Sequence, residues 1–76
     1  MQKFKVGQNV IVNYCDEFTC KGIITFVNHD PENEYYKAIF EDAGVDKYNS
    51  IVPDIAKHPY GYEFVVFHTE LSIIPE

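Results

Sequence analysis

The stretch from Lys21 to Asp42, KGIITFVNHDPENEYYKAIFED, constrains this chain more than any other. Gly22–Val27 and Tyr35–Phe40 are rich in β-branched and aromatic residues, which suit a pleated, half-buried surface. Between them lies NHDPENE, whose Asn, Asp and Pro suit a turn. The stretch reads as one β-hairpin. In its second arm Tyr36, Ala38 and Phe40 share one face and Tyr35, Lys37 and Ile39 the other. Lys37 wants water, so the Tyr36 face is expected to point inward. Pro31 falls in the turn, where a missing N–H costs little.

The remaining segments add strands to that hairpin. Val10, Val12 and Tyr14 alternate with Ile11 and Asn13, so Gln8–Tyr14 reads as a strand, with Gly7 at a turn or bulge before it. Cys15–Thr19 reads as a polar loop carrying an exposed Phe18. The next strand runs from about Cys20 to Asn28, with Gly22 at a close backbone approach. Glu41–Pro59 breaks the pattern and reads as a long connection without a substantial helix. Ser50–Lys57 offers one short helical turn, with Ser50 as its N-cap and Pro53 early in it. Tyr60–Thr69 reads as the fourth strand, with Tyr62, Phe64 and Val66 on one face. Thr69–Leu71 is then a turn, and Ser72–Ile74 a closing strand stopped by Pro75.

Seventy-six residues make one domain, spanning 1–76. A chain of that length buries only ~60% of its unfolded surface. Hydrophobic residues are 46% of it, enough for one core. The expected class is all-β, with four to five short antiparallel strands and one long loop inserted between strands three and four. Closing such a sheet into a small barrel would remove its exposed edges.

These residues resemble a known pattern. KVGQNVIV, KGIITFV, YYKAIFED and YEFVVFHTELSII are similar to small SH3-like barrels of the Tudor and KOW type. In that family a VGD-like turn precedes strand one, a G-x-hydrophobic strand follows, Y-x-V-x-F-x-D forms the third, and E-L closes the barrel. The matching residues are Val6-Gly7-Gln8, Gly22-Ile23-Ile24, Tyr36 to Asp42, and Glu70-Leu71. Gln8 replaces the usual Asp, and Gly44–Pro59 departs as an insertion. The nearest likeness is to short SH3-like proteins of bacteriophages and mobile elements. Tudor-type barrels hold methylated Lys or Arg in an aromatic cage by cation–π contact. Tyr14, Phe18, Tyr36 and Asp42 fall near the matching loops, with packing of the barrel as the alternative for the rings.

Charge narrows the function classes. Twelve acidic residues face six lysines and no arginine, a formal net charge of −6. Nucleic-acid binding rests on Lys and Arg displacing counterions, so direct DNA or RNA binding is disfavoured. The balance suits a protein partner with a basic surface. It also simply keeps a small domain soluble. No stretch nears ~20 apolar residues, so no membrane span is expected. MQKFKVGQNV lacks the apolar run of a signal peptide. A cytoplasmic setting with free thiols is the expectation, in the host cytoplasm if the phage likeness holds.

No catalytic set is legible. Cys15 and Cys20 lack the tight paired spacing of structural zinc, so completion by His29, His58 or His68 is not expected. No nucleophile, base and orienting group share a recognisable spacing. The expectation is a non-enzymatic protein-binding module without cofactor or metal. In its most concrete form it is a phage-encoded modulator or inhibitor that occludes a basic site on a host protein. Tyr and Phe are enriched at interfaces, which singles out Phe18, Tyr35, Tyr48 and Tyr60. The carboxylates beside them are Asp16, Glu17, Asp42 and Asp46. Two rivals stand: a nucleic-acid-binding barrel, and a self-assembling protein joined through Ser72–Ile74 or Phe64–Phe67.

Overall fold

The computed structural model describes residues 4–74, so Pro75 lies outside the described residues. The strands are β1 (Asn9–Tyr14), β2 (Phe18–Asn28), β3 (Tyr35–Phe40), β4 (Glu63–Val66) and β5 (Leu71–Ile73). The described residues also hold one helix, α1 (Asp42–Ile51), and two 3-10 turns, Asp54–Ala56 and His68–Glu70. The strands form one antiparallel sheet in the order β4-β3-β2-β1-β5.

The hairpin is as its alternation implies. Gly22 pairs with Phe40 and Asn28 with Tyr35, with a bulge at Ile24/Phe26. Tyr36, Ala38 and Phe40 are buried, as are Val10, Val12, Ile24, Phe64 and Val66. Gly22 sits where a Cβ would lie 3.2 Å from the Ile39 carbonyl oxygen and 3.4 Å from Val12 Cγ2, the expected close approach.

The sheet is open, not a closed barrel: β4 and β5 are its two edges. It is nevertheless strongly curled. Five strands laid flat would hold β4 and β5 ~19 Å apart. Residues 67–70 are all that connects them, a span of at most ~17 Å when extended. The His68–Glu70 turn shortens that reach. The inner faces therefore fold onto each other. Tyr14 of β1 meets Phe64 of β4 with ring centroids 6.1 Å apart, and Phe40 stacks on Phe64 at 4.1 Å.

Three boundaries differ from the sequence reading. The inserted segment is not a loop: it contains α1, ten residues long. Gly44 and Val45 are buried against the sheet while Asp42, Ala43, Asp46 and Lys47 face solvent. Ser50 is not an N-cap but part of α1, its hydroxyl donating to the Lys47 carbonyl at 2.7 Å. β4 is shorter than Tyr60–Thr69, because Gly61 takes φ +83 before it and the 3-10 turn follows it. The β1–β2 connection is also tighter. Cys15 and Asp16 both have positive φ, and the Glu17 N–H donates to the Tyr14 carbonyl at 2.9 Å. Phe18 thereby enters β2 and is half-buried, not exposed.

α1 is held by an unusually close approach. A Cβ on Gly44 would sit 2.6 Å from Cys20 Sγ and 2.7 Å from Cys20 Cβ. Alanine normally favours a helix interior over glycine by ~1 kcal/mol. Here Gly44→Ala is expected to reverse that sign and destabilise the fold by about 1–3 kcal/mol through overpacking. A thermal melt reads this as a drop of at least ~4 °C in Tm; an unchanged or raised Tm contradicts the packing described.

Candidate functional site

The meander divides the acidic residues. β2 is eleven residues long, so its ends lie ~33 Å apart. Asp30, Glu32 and Glu34 occupy the β2–β3 turn at one end. Asp16 and Glu17 occupy the β1–β2 turn at the other. α1 begins where β3 returns to that same end, because Phe40 pairs with Gly22. Lys47 of α1 ties the two together, its Nζ donating to the Thr19 carbonyl at 3.0 Å. Asp42 and Asp46 are thus brought to the end that holds Asp16 and Glu17. The acids do not form one continuous face.

The sequence-selected aromatics follow the same split. Phe18, Tyr48 and Tyr60 lie at the α1 end, whereas Tyr35 lies at the far end on the outer face, 6.0 Å from Phe26. Phe18 stacks on Tyr14 at 5.5 Å and meets Phe40 edge-on at 6.2 Å. Tyr48 packs on Tyr14 and Phe64, and its hydroxyl donates to the Ala56 carbonyl at 3.3 Å. Both rings rest on the core, and only part of each reaches solvent. Tyr60 stays exposed, its hydroxyl donating to Asp46 Oδ1 at 2.8 Å. That bond holds the phenol above its ordinary pKa, with the Asp46 and Asp42 charges acting in the same direction.

The cage implied by the resemblance does not assemble from the residues named for it. Tyr36 is a core residue, with Phe4 edge-on to its ring at 5.7 Å. Tyr14 is enclosed by Phe18, Phe40, Tyr48 and Phe64. His58 joins this layer, stacked between Tyr48 at 5.1 Å and Tyr62 at 3.8 Å. Asn49 locks the His58 backbone, accepting its N–H and donating to its carbonyl, each at 2.9 Å. The rings fill the space between one another.

A surface the sequence reading passed over lies on the outer face of the sheet. Ile23 is 46% exposed, Phe26 42% and Val65 47%. Ile23 pairs with Ile39, and Phe26 aligns through Lys37 with Val65, forming two rows of one face. Lys37 lays its Nζ 5.5 Å from the Phe26 ring centroid. At the α1 end of this face lies an open depression of about 210 Å³ lined by Asn9, Lys21, Ile23, Ile39 and Glu41, among others. Glu41 is fixed at its rim, Oε2 accepting the Lys21 N–H at 2.6 Å. The helix acids Asp42 and Asp46 follow Glu41 in the chain. The outward position of Ile39 was legible in the sequence, but nothing there placed Ile23 beside it or showed that this face stays uncovered.

Among the described residues no three His, Cys, Asp or Glu side chains converge to hold a metal. The two thiols are separate and free: Cys15 exposed in its turn, Cys20 buried beneath α1. Among the described residues no helix is long and apolar enough to cross a membrane. Comparison of the chain with protein-family models, curated proteins and solved structures returns no match.

Glu70 ties the α1 end to the β4–β5 connection. Its Oε1 accepts the Phe67 N–H at 2.9 Å, and its Oε2 accepts the Cys15 N–H at 3.0 Å with Sγ 3.7 Å away. Desolvation and then the Glu70 charge raise the Cys15 pKa, and burial pushes Cys20 up to about 11. Only the thiolate is nucleophilic. At pH 8 a disulfide reagent is therefore expected to label Cys15 more slowly than a thiol in the urea-unfolded chain, and Cys20 only on unfolding. Glu70→Gln should speed Cys15 labelling; an unchanged rate removes the carboxylate's role. Because the folded pKa of Cys20 is raised, its contribution to stability is complete below pH 9 and lost as pH climbs toward about 11.

Proposed function

We propose that this chain is a non-enzymatic binding module that docks on a basic, partly apolar surface of another protein. The observation that carries the reading is the outer-face depression between Ile23 and Ile39, rimmed by Glu41 at the end where Asp42 and Asp46 gather. An apolar side chain of the partner enters the depression. Its Lys or Arg side chains meet Glu41, Asp42 and Asp46, and the exposed Tyr60 beside Asp46 adds an aromatic contact. Phe18 and Tyr48 support this end from within, and Asp16 and Glu17 extend its field.

The SH3-like reading of the fold belongs here as well. A four-stranded meander whose fifth strand returns beside β1, with a 3-10 turn forcing the sheet to curl, supports a half-open barrel of that kind. If the likeness to phage and mobile-element proteins holds, the partner is a host protein and the module acts by covering a basic site on it. Carboxylates steer encounter with such a site and mark it by salt dependence.

The test is a comparison of baits. The wild-type chain, Ile23→Ser and the pair Asp42→Asn/Asp46→Asn are immobilised and exposed to host lysate. The wild type is expected to enrich a basic protein that both variants lose. With that protein purified, affinity should fall as salt is raised. No enrichment over the variants, or equal capture by all three, overturns the reading.

A further inference from the structure

The outer face of the sheet carries more than the depression. Register sets Ile23 of β2 and Glu63 of β4 on either side of Ile39, and Phe26 and Val65 on either side of Lys37. Tyr35 follows, 6.0 Å from Phe26. Ile23, Phe26 and Val65 are exposed, and α1 packs on the opposite, inner face. An apolar stripe thus follows the β2–β3 ladder from the depression to the Phe26–Tyr35 pair. Carboxylates close it at both ends. Glu41, Asp42 and Asp46 stand at one end, against Lys21 and Lys47, and Asp30, Glu32 and Glu34 at the other, in the β2–β3 turn. Glu63 adds an acid on the β4 side, its Oε2 accepting the Thr25 hydroxyl at 2.5 Å. Lys37 keeps a cation in the middle, 5.5 Å from the Phe26 ring centroid.

This pattern selects the form of the partner as well as its charge. β2 and β3 are interior strands, so their backbone groups are spent in the ladder. An extended segment laid on this face would find no backbone bonds there. It would press its own N–H and C=O groups against apolar side chains, and each one left unpaired costs free energy. A helix satisfies its backbone internally, and its spacing fits. Outward residues of a strand recur every ~6.6 Å, and helix positions i and i+4 lie ~6 Å apart along the axis. The sheet curls across its strands, so the straightest line on the face runs along β3. From Glu34 to Glu41 that line is ~23 Å, the rise of ~15 helical residues.

We infer that the partner docks here through an amphipathic helix of about four turns, laid along β3, with Lys or Arg in its first and last turns and an apolar stripe between them. This rests on the docking reading above and adds to it the secondary structure and charge order of the partner. One apolar side chain fills the depression between Ile23 and Ile39. The next, a turn further on, lies against Phe26 and Val65. The basic turns meet Glu41, Asp42 and Asp46 at one end and Glu32 and Glu34 at the other. Lys37 repels a cation from the middle, which leaves the ends as the place for basic residues.

The probe is a synthetic peptide of about sixteen residues, with Lys in its first and last turns, Leu at i, i+4 and i+7 between them, and Ala elsewhere. One control scatters the same leucines around the helix. A second replaces a central Ala by Pro, which breaks the helix. The full chain is titrated to millimolar peptide while magnetic resonance follows its amides. Shifts at Ile23, Phe26, Ile39 and Val65 are expected, with a gain of helical circular dichroism on mixing. Both controls should bind roughly tenfold more weakly. Glu32→Gln/Glu34→Gln, remote from the depression, should weaken binding roughly threefold. No shift at millimolar peptide overturns the inference. So does equal binding of the proline peptide, or indifference to Glu32→Gln/Glu34→Gln. The docking reading fails separately. Binding of the proline peptide that Ile23→Ser abolishes removes only the helix, whereas binding of the Leu-stripe peptide that ignores Ile23→Ser removes both.

Discussion

Residues 67–70 must return the chain from one edge of the sheet to the other, and they are too few to cross a flat one. Curling is the consequence, and the core depends on it. Only in a curled sheet does Tyr14 of β1 reach Phe64 of β4, three strands away in the ladder. Glu70 secures the return from within this connection. One carboxylate oxygen starts the 3-10 turn at Phe67, and the other fixes the β1–β2 turn at Cys15. A single half-buried side chain thus joins two turns that are 55 residues apart in sequence.

The parts that the sequence made legible are those governed by alternation. Tyr36, Ala38 and Phe40 could be turned inward because Lys37 lies between them, and a period of two leaves no third choice. α1 was hidden for the opposite reason. Gly44, Val45 and Asn49 are poor helix formers, and the segment lacks a capping side chain at Glu41. Its helicity follows from tertiary contact: Gly44 lets the helix press against Cys20, Val45 joins the core, and Tyr48 packs edge-on against Phe64. Phe18 was misjudged by one short turn. Two consecutive residues at positive φ, Cys15 and Asp16, start β2 earlier than the polar composition suggests and carry Phe18 into contact with Tyr14.

The candidate site was legible in its charges but not in its centre. Asp42, Asp46 and Tyr60 were selected as residue types and do come together. Ile39 was placed on the outward face of the hairpin with Tyr35 and Lys37, Ile23 was assigned to neither face, and outward positions are ordinarily polar in a sheet with one solvated face. Recognising them as a surface needs the sheet's layering, since α1 packs on the inner face. The helix might as easily have covered the outer one as far as composition is concerned.

An open sheet with apolar residues at both its outer face and its β4 edge invites aggregation. The acidic excess answers this without reference to any partner. Glu63 stands at the β4 edge, and acids mark both turns of β2, so like charge opposes the approach of two copies at these places. Three of the described lysine ammonium groups are engaged within the chain, one of them by a carboxylate. Lys57 pairs with Asp54 at 2.8 Å, Lys47 bonds a carbonyl, and Lys37 lies over Phe26. The same field that discourages indiscriminate self-contact attracts a basic surface. Resistance to self-association and the proposed recognition of a basic partner therefore draw on one charge distribution, and a substitution that neutralises Asp42 and Asp46 weakens that distribution for both.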